Sequence, residues 1–391
     1  MAATLNRFFS RTDTSIIARW WWTVDKGMLL AILVLMTLGI TLVASASPAV
    51  ATRIEAGHSH FIIRHIIFVI PSLVVMLGVS LLDHRWIRRL GSIVFAAAIF
   101  LMVLVPFVGS EIKGAHRWIS FGFFALQPSE FVKPGFAIMS AWMMTQFQQQ
   151  STFRGYIIAA CLYILTAFLL LLQPDFGMTF VLTFMFGVQV VVAGLPFRYI
   201  IPLALMLIVG ALTIYSTFDH VKTRVDKFLA PEGTADTYQV DRSLEAFAEG
   251  GIFGKGAGQG TVKNTIPDAH ADFIFSVAGE ELGLIASFGI IGLYAYILFV
   301  GFNRLMDSND MFVILASIGI LAMFGLQAFI HIGSCLSILP TKGMTLPFIS
   351  YGGSSILAMG FSMGVVLGLT RREVKTLISR GRKFFWNRKK A

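Results

Sequence analysis

Two cysteines in 391 residues leave this chain without the means for a disulfide framework. Cys161 and Cys335 lie within or at the end of apolar runs and show no metal-ligand spacing, so a thiolate metal site is excluded and the redox compartment stays open. Charge is scarce as well: Asp, Glu, Lys and Arg make up only 13% of the residues against 56% hydrophobic ones, which excludes an ordinary soluble globular protein. Acid is the scarcer sign, 21 residues against 31 Lys and Arg, giving a net charge of +10. No recognition motif for nucleic acid accompanies that charge, so no nucleic-acid partner is expected. A cleaved signal peptide is missing too, because the first apolar run continues past signal length and opens a series of similar runs.

Those runs are what the chain has in quantity. They fall near 27–47, 61–82, 90–109, 129–147, 156–173, 178–195, 197–216, 273–302, 311–336 and 348–370. Each suits a bilayer core about 30 Å thick. The expectation is an all-α polytopic membrane protein of about ten transmembrane helices, with a long extracytoplasmic loop between the seventh and eighth. Residues 1–26 form a cytoplasmic N-terminal segment, 27–370 the membrane domain with the outer loop 217–272, and 371–391 a basic cytoplasmic tail. Arg85, Arg88, Arg89, Arg154, Arg198 and Arg304 sit in alternate connections, so that side and both termini are assigned to the cytoplasm. Trp20, Trp21 and Trp22 stand where interfacial anchors belong. The tail interleaves basic residues with Phe384, Phe385 and Trp386, which suits anionic lipids beside a last span.

The segments rich in unusual polar residues then share the outer side. GIFGKGAGQGTVKNTIPDAHADFIFSVAGEELG, from Gly251 to Gly283, sets a glycine-rich stretch against the start of a span, with Asp272 as the last charge before it. A carboxylate at the mouth of a membrane helix is costly without work or a partner. Asp272 is therefore either a helix cap or a functional group. The glycines fail a Walker pattern, because Glu249 stands where its first glycine belongs and Gly256 follows Lys255, so no nucleotide is expected. What remains is a plain flexible loop, or a backbone that cradles a phosphate with Lys255 and Lys263. Arg117, Trp118, Glu130 and Lys133 cluster in GAHRWISFGFFALQPSEFVKP; Glu130 and Lys133 at i, i+3 form either an ion pair or, with a bidentate Arg117, a pocket for a diphosphate headgroup. QPDFG, with Asp175, and TKGMTLPFISYGGSS, with Lys342, Ser350 and Tyr351, break their helices at the outer end; each is a packing kink or a cavity lining.

RWISFG, QPSEFVK, QPDFG, GGIFGKGAGQG, PDAHADFIFSVAGEELG and TKGMTLPFISYGGSS, in this order, resemble the SEDS family of membrane glycosyltransferases. The GEELG form, the N-terminal tryptophans and the TKG turn look more like its division branch than its elongation branch. PDAHADF departs mildly, with Asp268 and Ala271 where the family more often has Glu and Thr. The resemblance implies about ten spans in the bacterial cytoplasmic membrane, at the division septum, and polymerisation of lipid II into peptidoglycan glycan strands. It implies a class B penicillin-binding protein as transpeptidase partner, together with other membrane proteins of the division machinery. Asp272 is implied as the catalytic carboxylate. Arg117, Trp118, Glu130, Lys133, Asp175, Lys255, Lys263, His270, Lys342, Ser350 and Tyr351 are candidates for substrate or electrostatic roles. A divalent cation, Mg or Mn, held in part by Asp272, is a candidate cofactor. A lipid II flippase, a division scaffold and an elongation polymerase are the alternatives.

Overall fold

The computed structural model describes residues 15–55, 57–112, 115–122, 124–149, 154–195, 238–340 and 343–372, with 198, 210, 215, 216, 222 and 226. The seventh candidate span, most of the outer loop before Tyr238, Lys342 and nearly all of the basic tail lie outside the described residues. A short helix α1 (Ile16–Thr23) carries the three tryptophans; the Trp20 indole donates to Ser80 Oγ at 2.9 Å. Then follow α2 (Lys26–Arg53), α3 (His60–Ser80), α4 (His84–Val108), α5 (Pro128–Gln149), α6 (Gly155–Leu172), α7 (Phe176–Val192), α8 (Tyr238–Gly250), α9 (Ile274–Met306), α10 (Met311–Cys335) and α11 (Gly353–Leu369). Six of these, α2, α3, α4, α6, α9 and α10, are long and apolar enough to cross a membrane; α7 and α11 are apolar at 17 residues each.

The all-α expectation holds, with one small sheet added to it. Between α4 and α5 the chain forms a small antiparallel sheet in the order β1 (Ser110–Ile112), β2 (Ala115–Ser120), β3 (Ala125–Leu126). Ile119 pairs with Leu126 and Ser120 with Ala125 around the turn at Gly122, whose φ of 85° suits glycine. This segment is too short and too polar to span, so its backbone groups pair with one another.

Close helix contacts need small residues. A Cβ on Gly360 of α11 would lie 2.5 Å from the carbonyl oxygen of Ser72 on α3, so the two helices meet backbone to backbone. Ser72 Oγ fastens the same crossing by donating to Ile356 O at 2.7 Å. Deeper in the bundle, Gln189 of α7 donates to Ala137 O and Leu315 O and accepts from Ser140 Oγ. That ties α5, α7 and α10 with a satisfied polar group, as an apolar interior demands.

The longest helix is not one span. Thirty-three residues would reach about 50 Å at 1.5 Å per residue, well beyond a bilayer core. α9 breaks at Gly283, where φ is 77° and ψ is −177°. The glycine-rich loop enters the break. Leu284 and Ile285 donate their N–H groups to the carbonyls of Gly251 and Ile252, while Lys255 and Gly256 donate theirs to Glu280 O and Glu281 O. The helix ends created by the break are thus capped by the loop.

Candidate functional site

Antiparallel alternation brings the end of α2, the sheet, the α6–α7 turn, the start of α9 and the α10–α11 connection to one end of the bundle. Arg117 of β2 donates from Nε to Gln173 O at 2.9 Å and from Nη2 to Pro174 O at 2.5 Å, clamping the QPDFG turn. Asp175 accepts from Met178 N and so caps α7; burial pushes its carboxyl above the usual range, with Arg117 opposing. Ser354 Oγ accepts from Gln127 N at 3.0 Å and faces Ala125 O at 3.2 Å, joining the sheet to α11. Ser350 Oγ donates to Ala271 O at 2.6 Å and accepts from Leu346 N, and Tyr351 N donates to His270 O at 3.0 Å. The motifs singled out in the sequence therefore touch one another in a chain.

Asp272 stands in the middle of it. α9 begins at Ile274 with Phe273 at the N-cap position, so Asp272 lies one residue outside the cap. Its side chain is half-buried beside the α10–α11 connection: a Cβ on Gly343, whose φ is 60°, would lie 3.3 Å from Asp272 Oδ2. Glycine at 343 keeps the backbone close beneath the carboxylate. His331 Nδ1, 2.6 Å from Met344 O, holds the same connection from α10.

Beside Asp272 an aromatic cluster covers His270, which is only 4% exposed. Its ring lies 4.3 Å from Phe61 and 5.1 Å from Tyr351, centre to centre. Burial pushes the imidazole down to about 4, with Asp268 opposing, so His270 is neutral at neutral pH. Burial also raises the Tyr351 phenol, against the nearby Arg64 guanidinium. Arg64 and Phe61 on the first turn of α3 are site neighbours that sequence reasoning missed. The signal was present: Arg64 is a lone cation in an apolar run, at its outer end.

The cationic groups are engaged within the protein itself. Just after the glycine-rich stretch, the N–H groups of Thr261, Val262 and Lys263 surround the carboxylate of Glu280 at 2.6, 2.7 and 2.8 Å, and Glu280 is fully buried. The loop's own N–H groups at Lys255 and Gly256 donate to Glu280 O and Glu281 O. Lys263 is buried against Glu281 and Ser45 Oγ of α2, and Lys255 is exposed and paired with Glu249 at 2.6 Å. Arg117 spends its fork on two backbone carbonyls. Lys133, with no exposed surface, pairs with Glu130 at 2.8 Å and touches Met178 Sδ, which realises the ion-pair alternative. Trp118 is half-buried in β2, its strand position opposite Ser110. Among the described residues no group of three His, Cys, Asp or Glu converges to hold a metal ion.

Residues 26–375 match a family described as cell cycle protein, which groups FtsW, RodA and SpoVE. A relative from Caulobacter vibrioides, "Probable peptidoglycan glycosyltransferase FtsW", is 44% identical over 373 residues, covering 95% of each chain. A protein of the same name from Coxiella burnetii is 35% identical over 88% of this chain and 96% of its own. Among solved structures, a chain from "Structural coordination of polymerization and crosslinking by a peptidoglycan synthase complex" superposes with TM-score 0.74 at 28% identity, over 90% of this chain and 98% of that one. The rod shape determining protein RodA of Thermus thermophilus superposes with TM-score 0.66 at 27% identity, over 90% and 97%.

Proposed function

This chain belongs to the FtsW, RodA and SpoVE family of cell-cycle proteins, and from that premise we propose how it works as a peptidoglycan glycosyltransferase of the FtsW kind. It polymerises lipid II into β-1,4-linked glycan strands during division, with Asp272 as general base. The observation that carries this reading is the half-buried Asp272 carboxylate over Gly343, where the conspicuous outer motifs meet.

Making a β-1,4 linkage from an α-linked lipid diphosphate inverts the anomeric carbon in one displacement. The acceptor hydroxyl must lose its proton as it attacks, and general-base assistance of that kind contributes about a hundred- to ten-thousand-fold. The leaving diphosphate needs positive charge rather than a proton. Arg64, exposed beside Tyr351, and Lys342, next to Gly343 in sequence, are the cations we assign to it. Arg117, Lys133 and Glu130 hold the QPDFG turn and the head of α5 in place around the site. Among the described residues the protein donor set alone forms no metal cage, so an Mg or Mn ion would rest on substrate phosphates with Asp272, and no step is assigned to it.

The partner assigned is a class B penicillin-binding protein that crosslinks the strands, and the place of work is the septal face of the cytoplasmic membrane, with both termini cytoplasmic. Further division proteins and anionic lipids at the basic tail complete the proposed contacts. The test is to incubate the purified protein and its transpeptidase partner with labelled lipid II. Glycan polymer is expected; lipid II moved across a vesicle membrane with no polymer formed would favour a flippase instead.

A further inference from the structure

An apolar cavity of about 500 Å³ lies among α3, α4, α5 and α11, and the glycosyl transfer makes no use of it. Its wall comprises Val75, Gly78 and Val79 of α3, Leu82 in the turn that follows, Leu90 and Val94 on α4, and the rings of Phe131 and Phe361 among others, with no polar side chain among the described residues. A dry protein cavity of about 150 Å³ takes up benzene, so on that scale this one accommodates roughly twenty carbons, the size of one lipid hydrocarbon chain. Gly78 opens it: a Cβ there would meet nothing within 4 Å, whereas one on Gly360 or Gly364 would strike the backbone of α3. Glycine is disfavoured in a helix, and among the described residues no packing contact asks for it at 78.

One end of the cavity is basic. Leu82 and Leu90 flank the first turn of α4, where Arg85, Trp86 and Arg89 are exposed and the Arg89 guanidinium lies 5.0 Å from the Trp86 ring centre. Arg371 donates to Leu82 O at 2.8 Å and pairs with Asp83 at 3.5 Å, and the second acid of that corner, Asp310, lies 3.6 Å from His84 Nδ1. This end is opposite the one that holds Asp272, so its cations face the wrong way for the reacting diphosphate. We propose that the cavity is a binding site for an anionic phospholipid, with one acyl chain in the slot and the phosphate on Arg85 and Arg89.

The test is native mass spectrometry of the full chain in detergent, titrated with phosphatidylglycerol and with phosphatidylcholine of the same chains. The wild type is expected to retain one phosphatidylglycerol with at least a tenfold preference. Gly78→Phe fills the slot and should weaken retention at least tenfold, while the double variant Arg85→Gln, Arg89→Gln should abolish the preference between the two lipids. Gly78→Leu is a second filling variant, expected to melt no lower than wild type because it adds helix propensity. Wild-type retention of phosphatidylglycerol in a folded filling variant would overturn the proposal. So would undecaprenyl phosphate displacing phosphatidylglycerol with the same sensitivity to Gly78, since the occupant would then be the substrate's own tail.

Discussion

Removing the Glu280 carboxylate should do more damage than removing any of the exposed cations of the glycine-rich loop. Three backbone N–H groups converge on that carboxylate, and it has no exposed surface. Hydrogen bonds to a charged acceptor are worth about 1.5–3 kcal/mol each, and a buried donor left alone costs about 1–3 kcal/mol. The three are not additive, because the loop can relax and admit water. Relief from burying a carboxylate offsets part of the loss, yet only where the donors it satisfied vanish with it. Glu280→Ala is therefore expected to cost about 3–5 kcal/mol, the upper range for a single substitution. Glu280→Gln keeps one acceptor oxygen and turns an amide toward the remaining N–H, so about 2 kcal/mol is expected. Lys255→Ala, which removes a pair in open solvent, should leave stability unchanged. The assay is denaturant unfolding of the purified protein followed by tryptophan fluorescence, with limited proteolysis reporting on the loop. Because only eight residues separate Lys263 from Asp272, polymer output should fall at least tenfold in the Ala variant. A Glu280→Ala protein within about 1 kcal/mol of wild type, with its loop equally protected, would refute the reasoning.

Three further outcomes are expected. Lys133→Met strands Glu130 in the interior at about 3–5 kcal/mol, and adding Glu130→Gln should restore most of it; a double variant as unstable as the single would contradict a structural pair. His270 titrates at about 4 when folded and near 6.5 when unfolded, so the unfolded chain binds the extra proton between those values. Stability should then fall as pH drops from about 6.5 to 4, by up to about 3 kcal/mol from this residue, and His270→Gln should flatten that slope in thermal melts. A cysteine placed at Thr234 should react with an impermeant reagent in cells whose outer membrane is permeabilised; protection until the inner membrane is broken would reverse the orientation.

Much of this site was legible because it rests on short-range chemistry. Glu130 and Lys133 are one helical turn apart, so their pairing was one of two readings the spacing allowed, and the Pro and Gly of QPDFG and SYGGSS marked helix ends that the fold does have. Helical alternation then placed those ends together. What stayed hidden depends on segments distant in sequence. GEELG reads as the interior of one apolar run, and its break at Gly283 becomes visible only when the carbonyls of Gly251 and Ile252 arrive to cap Leu284 and Ile285. The destination of the loop's N–H groups was hidden for the same reason: the anion they bind is Glu280, 17 to 19 residues away. The sheet between α4 and α5 escaped because strands of two to six residues leave little periodicity to read. Arg64 escaped because its partner, Tyr351, lies 287 residues away in sequence.

The central claim is tested most directly by Asp272→Asn. Asn is nearly isosteric, so it preserves the packing over Gly343, and it serves as well as Asp at the start of a helix. It cannot take a proton from the acceptor hydroxyl. The measurement is gel-resolved polymer from labelled lipid II made by the variant and its transpeptidase partner, with fold checked by thermal melting and with lipid II binding measured separately. The account expects a folded protein that binds lipid II and makes polymer at least about a hundredfold more slowly. Near-normal polymer from the Asn variant would contradict it, and Asp272 would no longer be the base.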